Sequence, residues 1–199
     1  MRAISLLISA VTLASPGCQP EPAPSPPPAP PEAASDQGLA AFETVYSVLQ
    51  HPRCLNCHPA GDRPLQHDDS RPHGMNVLRG PDDAGHPALK CSACHQQANQ
   101  GLAHLPPGNP AGWRLAPREM AFEGRSPRAL ALQLKDPAQS HMTLEASIAH
   151  VRDDALVGWG WDPGPGRAAV PVPRAELVAA FQTWVEAGAP VPADEEEAR

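Results

Sequence analysis

The most constraining feature of this sequence is a five-residue motif that occurs twice. Residues 54–58 read Cys-Leu-Asn-Cys-His, and residues 91–95 read Cys-Ser-Ala-Cys-His. Two thiols at this spacing can each bond to one vinyl group of the same porphyrin, and the histidine that follows can coordinate its iron. His58 and His95 are therefore predicted axial ligands of two covalently bound haem c groups. The predicted thioether anchors are Cys54, Cys57, Cys91 and Cys94.

Two other uses of these four cysteines are open. They could be the thiolate ligands of one structural zinc ion, but then both histidines would have no role and the insert between the pairs would be unusually long. They could also form disulfides, which are common in exported proteins. A disulfide across a two-residue spacer would close a small, strained ring. The spacing favours haem over both alternatives.

The amino terminus predicts export and a lipid anchor. Residues 1–17 contain Arg2 and then an apolar run, which is typical of a signal peptide and too short to span a bilayer. Cys18 follows Ser-Pro-Gly, an imperfect match to the cleavage site of bacterial lipoproteins, in which Leu would stand at Ser15. We expect a periplasmic protein that is anchored to the membrane through a lipid on Cys18. Cleavage nearby, which would release a soluble periplasmic protein, is the alternative.

The rest of the chain predicts one domain between two polar segments. Residues 19–35 are rich in proline and predict an extended linker, and residues 193–199 predict an acidic tail. Residues 36–192 have the size of one domain. Because the chain has only one Tyr, three Phe and four Trp, we expect the haems to complete its core and the haem-free protein to be largely unfolded. The net charge of −7 argues against nucleic acid as a partner.

The hydrophobic pattern predicts an all-α domain with extensive irregular loops. Ser126 and Thr143 are predicted N-caps, and Gly188 is a predicted C-terminal cap. Residues 59–85 are rich in Asp, Arg, Pro and Gly and predict a loop that wraps a haem. No alternating strand pattern of useful length occurs. Apolar residues at helical spacing predict helices over residues 38–49, 127–135, 144–151 and 177–185.

Residues 159–163, Trp-Gly-Trp-Asp-Pro, predict a compact aromatic turn. The favoured interpretation is packing in the core, with each indole N–H bonded locally. The alternative is a wall against a porphyrin edge or a docking surface.

A haem that only transfers electrons has a protein ligand on both sides of its iron. The favoured second ligands are His73, which lies in a His-Gly-Met sequence, and His150, which lies among apolar residues of a predicted helix. Met75 and Met120 are the thioether alternatives, which would raise the haem potentials. His73 could also be an exposed loop residue, and His150 an ordinary residue on a helix face. The histidines predicted to lie at the surface are His51, His67, His86, His104 and His141.

Several further sequence blocks make the chain resemble a family of bacterial exported dihaem cytochromes c, often labelled as subunits of isoquinoline 1-oxidoreductase. The resemblance covers residues 51–190 and implies ligand roles for His58, His73, Met75, His95, Met120 and His150. The chain departs from the family at Ala131 and Val191, where the resemblance implies cysteines, so a stabilising disulfide is expected to be missing. The blocks that carry the resemblance, besides the two motifs, are residues 64–66, 73–77, 79–80, 106–108, 115–117, 133–137 and 156–161.

These observations predict a periplasmic dihaem c-type cytochrome that transfers electrons between redox proteins, such as a dehydrogenase and another cytochrome. We expect an electron carrier rather than a catalyst. One alternative is the electron-accepting subunit of a molybdenum hydroxylase. Others are a dihaem peroxidase-like enzyme, which needs one iron with an open position, a haem-based sensor and a structural metal lipoprotein.

Overall fold

The computed structural model of this chain describes residues 32–194. The predicted signal peptide at residues 1–17, the lipidation site Cys18, the linker up to residue 31 and the tail from residue 195 lie outside the described residues. Within residues 32–194 the chain is mostly helical with long loops, as predicted. No helix in this range combines the length and the apolar character that crossing a membrane requires.

The described residues form seven helices and two short antiparallel hairpins, in which β1 pairs with β2 and β3 with β4. The hairpins were not predicted, because two-residue strands are too short to show an alternating pattern. In chain order the elements are α1 (Glu32–Leu49), α2 (Pro52–Leu55), β1 (Leu65–Gln66), β2 (Arg71–Pro72), β3 (Gly85–His86), β4 (Leu89–Lys90), α3 (Pro127–Lys135), α4 (Pro137–Ser140), α5 (Leu144–Asp153), α6 (Ala155–Gly158) and α7 (Arg174–Glu186). Single 3-10 turns cover Cys91–Ala93 and Trp159–Trp161.

Side-chain caps fix the starts of two helices at the predicted residues. The Ser126 hydroxyl accepts a hydrogen bond from the Ala129 N–H of α3 at 3.2 Å. The Thr143 hydroxyl accepts one from the Ala146 N–H of α5, also at 3.2 Å. Each cap satisfies an N–H group that has no partner within its own helix.

The first helix is longer than predicted. α1 begins at Glu32 rather than at Gly38, so it includes the last four residues of the predicted linker, 32–35. These residues are Glu-Ala-Ala-Ser and contain no proline, whereas proline is frequent up to Pro31. From Glu32 onward every residue of this helix therefore has an N–H group to donate.

The four long helices enclose one hydrophobic core. α1 packs along α7, and α3 and α5 close the remaining sides. Phe42 of α1 and Trp184 of α7 lie with their ring centres 4.7 Å apart. The fully buried Trp184 also donates its indole N–H to the Pro190 carbonyl at 2.9 Å. The hydrophobic residues of this core all lie before residue 56 or after residue 115, so the intervening segment must be held together by other contacts.

Replacing Trp184 with alanine should lower the free energy of unfolding by about 3–5 kcal/mol, because it leaves a cavity between α1 and α7. Leu132→Ala on the exposed side of α3 is the matched control and should cost less than about 0.5 kcal/mol. Urea unfolding of the two variants measures the difference. Equal unfolding free energies would show that this core does not depend on the indole.

Candidate functional site

Both five-residue motifs fold into the same kind of turn. The Cys57 N–H donates to the Cys54 carbonyl at 3.1 Å, and the Cys94 N–H donates to the Cys91 carbonyl at 3.2 Å. In the first motif this turn continues α2, and in the second it is a 3-10 turn that follows β4. Side chains three residues apart on a helical turn lie on the same side. Each pair of thiols can therefore approach one ligand.

Neighbouring residues set the start of each turn. His51 caps α2, since its Nδ1 accepts a hydrogen bond from the Arg53 N–H at 3.2 Å, and Pro52 is the first helical residue. The second motif is held by the Cys91 N–H, which donates to the Ala84 carbonyl at 2.9 Å. His51 is half-buried, which corrects its prediction as a surface histidine.

The two motif histidines share one hydrogen-bonding arrangement. The Nδ1 of His58 lies 2.6 Å from the Met120 carbonyl, and the Nδ1 of His95 lies 2.8 Å from the Pro107 carbonyl. A carbonyl oxygen can only accept, so each Nδ1 must carry the proton and each Nε2 keeps its lone pair. This is the tautomer that a histidine needs in order to bind a metal through Nε2.

Each motif histidine also packs against an aromatic ring. His58 stacks on Phe122 with ring centres 3.7 Å apart and planes 4° apart, and His95 lies 4.7 Å from Trp113. Burial is the main cause that lowers the pKa of His58 to about 4, and nearby His150 and Arg79 lower it further. Burial also lowers the pKa of His95. Both imidazoles are therefore neutral near pH 7, which is the form that ligates metals.

A large cleft lies beside both motifs. It encloses about 1360 Å³ of space, including its part open to solvent. Its apolar walls include Leu65, Val77, Leu89 and Leu105. The predicted site residues that line the cleft are Cys57, His73, Met75, Cys91, Cys94 and His95, whereas Cys54, His58, Met120 and His150 do not line it.

His73 stands opposite His95 across this cleft. Their ring centres are 6.2 Å apart, and their planes are tilted by 55°. A metal ion bound between two imidazoles lies about 2 Å from each ligating nitrogen, which separates the ring centres by about 6 Å. His73 also donates its Nδ1–H to the Gly74 carbonyl at 2.9 Å, which leaves its Nε2 free. The pair therefore has the spacing and the tautomers of two ligands to one iron.

The other predicted second ligands occupy different surroundings. His150 is half-buried on α5, and its Nδ1 lies 3.4 Å from Asp154 Oδ2, so its Nε2 is available. Met120 is only 8% exposed and belongs to the helical core, and its sulfur lies 3.7 Å from Gln133 Nε2. Met75 is 76% exposed at the cleft. His150 is thus placed near His58, whereas Met120 packs as an ordinary core side chain.

The cysteines are not arranged as a zinc site. None of the four described cysteines forms a disulfide. Burial raises the pKa of Cys54 to about 12 and that of Cys57 to about 11. No three His, Cys, Asp or Glu side chains within residues 32–194 gather into a metal-binding group, so the four thiols do not form the closed set of a structural zinc site.

No protein-family model, curated protein or solved structure matches this chain. The resemblance to exported dihaem cytochromes c therefore remains a prediction from the motifs. The function has to be inferred from the chemistry of the residues around the cleft.

The cleft wall carries buried donors that make no hydrogen bond in the described chain. They are Arg53 Nε, Trp113 Nε1 and Arg79 Nε, of which Arg79 Nε lies 3.7 Å from Asp62 Oδ1 as an ion pair. All three side chains line the cleft. Leaving a buried donor unpaired is costly, so such groups indicate a ligand with acceptor atoms. The two carboxylates of a haem are acceptors of this kind, and the donors and the apolar walls together fit a haem.

Sequence reasoning missed several residues of the cleft. Arg53 directly precedes the first motif, and this position is the one signal that could have drawn attention to it. In the aromatic turn, Trp161 packs against the helical core and donates its indole N–H to the Val172 carbonyl at 2.7 Å, as predicted. Trp159 instead lines the cleft and donates its indole N–H to Asn99 Oδ1 at 3.1 Å. His67 and His104, predicted as surface histidines, also line the cleft, and His67 is half-buried.

Proposed function

We propose that this protein is a dihaem c-type cytochrome that transfers electrons between redox proteins. The observation that carries the proposal is the His73–His95 pair, with ring centres 6.2 Å apart beside Cys91 and Cys94 in the cleft wall. A thiol pair on one turn, followed by an imidazole with a free Nε2, meets the requirements for attachment and ligation of one haem. The first motif repeats that arrangement with Cys54, Cys57 and His58.

The residues around the cleft have distinct roles in this proposal. When bound, haem supplies one-electron exchange at its iron. The Met120 and Pro107 carbonyls hold the rings of His58 and His95 in the tautomer that leaves Nε2 free. Arg53 and Trp113 offer their unpaired N–H groups to carboxylates. Neutral imidazoles in buried surroundings favour the iron–histidine bond over protonation of the ligand.

The second ligands favour a carrier over a peroxidase-like enzyme. His73 is proposed as the second ligand of the haem on Cys91 and Cys94, because it stands opposite His95. His150 is proposed for the haem on Cys54 and Cys57. With an imidazole on each side of its iron, a haem has no open position for a substrate. We therefore propose electron transfer without substrate chemistry, in the periplasm and next to the membrane if Cys18 carries a lipid.

Counting covalent haems tests this proposal. Protein exported in a host with working cytochrome maturation should contain two haems per chain, measured by pyridine haemochrome absorbance and intact mass. Replacing Cys54 and Cys57 with serine should remove one haem, and replacing Cys91 and Cys94 should remove the other. Ser92→Ala, an exposed change inside the second motif, is the matched control and should retain both. A colourless product with the mass of the polypeptide and any lipid would overturn the proposal.

A further inference from the structure

A second pair of histidines faces one another beside the cleft. His67 directly follows β1, and His104 lies in the loop before Leu105. Their ring centres are 6.1 Å apart and their planes are tilted by 60°. This separation matches the 6.2 Å of the His73–His95 pair. The residues that form a smaller pocket around the two rings are His67, Asp68, Asp69, Arg71, His104 and Gly166.

These two imidazoles differ from the other histidines because their ring nitrogens have no partner in the described chain. The remaining histidines each have a ring nitrogen held at hydrogen-bond or ion-pair distance by a carbonyl, a carboxylate or a backbone N–H. Neither His67 nor His104 makes a ring hydrogen bond. Each neutral ring therefore has one unprotonated nitrogen available to a metal ion.

The loops bring Gly166 close to the His104 ring. A Cβ atom on Gly166 would lie 3.0 Å from Cε1 and 3.1 Å from Nε2 of His104, so a larger residue at this position would crowd that ring edge. His67 and His104 both have positive φ, at 64° and 62°. This conformation is unfavourable for a residue with a side chain, and here it occurs at both residues of the pair.

We propose that His67 and His104 bind a divalent metal ion of the zinc and copper class. Imidazole nitrogen is a preferred ligand for these ions, and ring centres about 6 Å apart can hold one ion between them. Asp68 and Asp69 line the same pocket, together with Arg71. Asp68 is ion-paired with Arg53, and Asp69 lies 3.9 Å from Arg71, so the two imidazoles rather than the carboxylates are the proposed ligands.

The site differs from a structural zinc site. No third His, Cys, Asp or Glu in residues 32–194 completes a set around the two rings, so water would fill the remaining positions. A bound ion would link the β1–β2 hairpin to the loop that carries Leu105, and both segments line the large cleft. His67 and His104 also line the cleft, but the proposed function gives them no role in holding haem, so the metal site is tested separately from haem attachment.

Isothermal titration with Zn²⁺ tests the site on the exported, tag-free protein. We expect one saturable site per chain, weakened by roughly 10-fold or more in His67→Ala and in His104→Ala. His86→Ala and His141→Ala are matched controls, because both histidines are exposed and have a ring nitrogen already partnered. They should bind Zn²⁺ like the unaltered chain.

Three outcomes would overturn the metal site: no saturable binding, binding unchanged in both alanine variants, or equal loss in the controls. If the cysteines carried no haem and bound the Zn²⁺ themselves, binding would be unchanged in both alanine variants. Failure of haem attachment is therefore distinguished from the loss of binding that is expected for the histidine site. If an alanine variant does not fold, His67→Gln and His104→Gln replace it. Electron paramagnetic resonance of added Cu²⁺ on the unaltered chain provides a further test, since coupling to two imidazole nitrogens is expected and its absence would contradict the proposal.

Discussion

Replacing His73 with alanine should convert one of the two proposed haems from low spin to high spin. His73 is the imidazole opposite His95, at a ring-centre separation of 6.2 Å, and its replacement removes that ligand. Loss of a strong axial ligand weakens the ligand field and favours the high-spin state. About half of the low-spin signal of the ferric protein should disappear, as measured by visible absorption and electron paramagnetic resonance.

His86→Ala is the matched control for this experiment. His86 is an exposed loop histidine in the same inter-motif segment, and its ring already accepts a hydrogen bond from the Ala88 N–H. The control should retain two low-spin haems, as should Met75→Leu and Met120→Leu. An unchanged spectrum in His73→Ala, or a high-spin signal in Met75→Leu, would move the ligand assignment from the imidazole to the thioether.

The helices could be predicted from the sequence because their signals are local. Ser126 and Thr143 stand directly before apolar residues at helical spacing, and the structure begins α3 and α5 after these two residues. The C-terminal signal is local too, since Gly188 adopts a φ of 84° two residues after α7 ends. Each of these features depends on residues within one or two turns of helix.

The path of the loops could not be predicted in the same way. His67 and His104 are far apart in sequence, and only the folded loops bring their rings to 6.1 Å. In those loops the apolar residues do not recur at a regular spacing. The two-residue strands are too short to show alternating apolar and polar residues. The cleft donors were missed for the same reason, because nothing in the sequence shows that Arg53 and Arg79 are buried along one wall.

The predictions of the candidate site rest on different kinds of sequence signal. The motif residues Cys91, Cys94 and His95 follow from spacing alone, and His73 was favoured for its position beside a glycine. Met120 shows the limit of such reasoning, because an apolar neighbourhood is equally typical of a ligand and of a core residue. In the structure its sulfur lies in the helical core, 3.7 Å from Gln133 Nε2.

Haem-free protein should lose structure in the cleft and keep its helical core. The sequence predicted a largely unfolded haem-free chain, but the structure contains a core that draws on α1, α3, α5 and α7 and on no hydrophobic residue between 56 and 115. The cleft segment is tied by scattered backbone bonds, such as the 2.8 Å bond from the His73 N–H to the Pro64 carbonyl. It therefore depends more strongly on a bound ligand for its buried surface.

Hydrogen–deuterium exchange on a variant with all four motif cysteines changed to serine measures this difference. Amides of residues 56–115 should exchange roughly 100-fold or more faster than in the haem-loaded protein. Without haem, local unfolding of this segment does not break contacts with a buried ligand, so it costs less free energy. Amides of α1 and α7 should remain protected, since Phe42, Phe181 and Trp184 stay packed. Equal protection of 56–115 without haem would mean that the cleft is stable by itself. Loss of protection in α1 and α7 would mean that the helical core also requires the cofactor, as the sparse aromatic content of the sequence suggested.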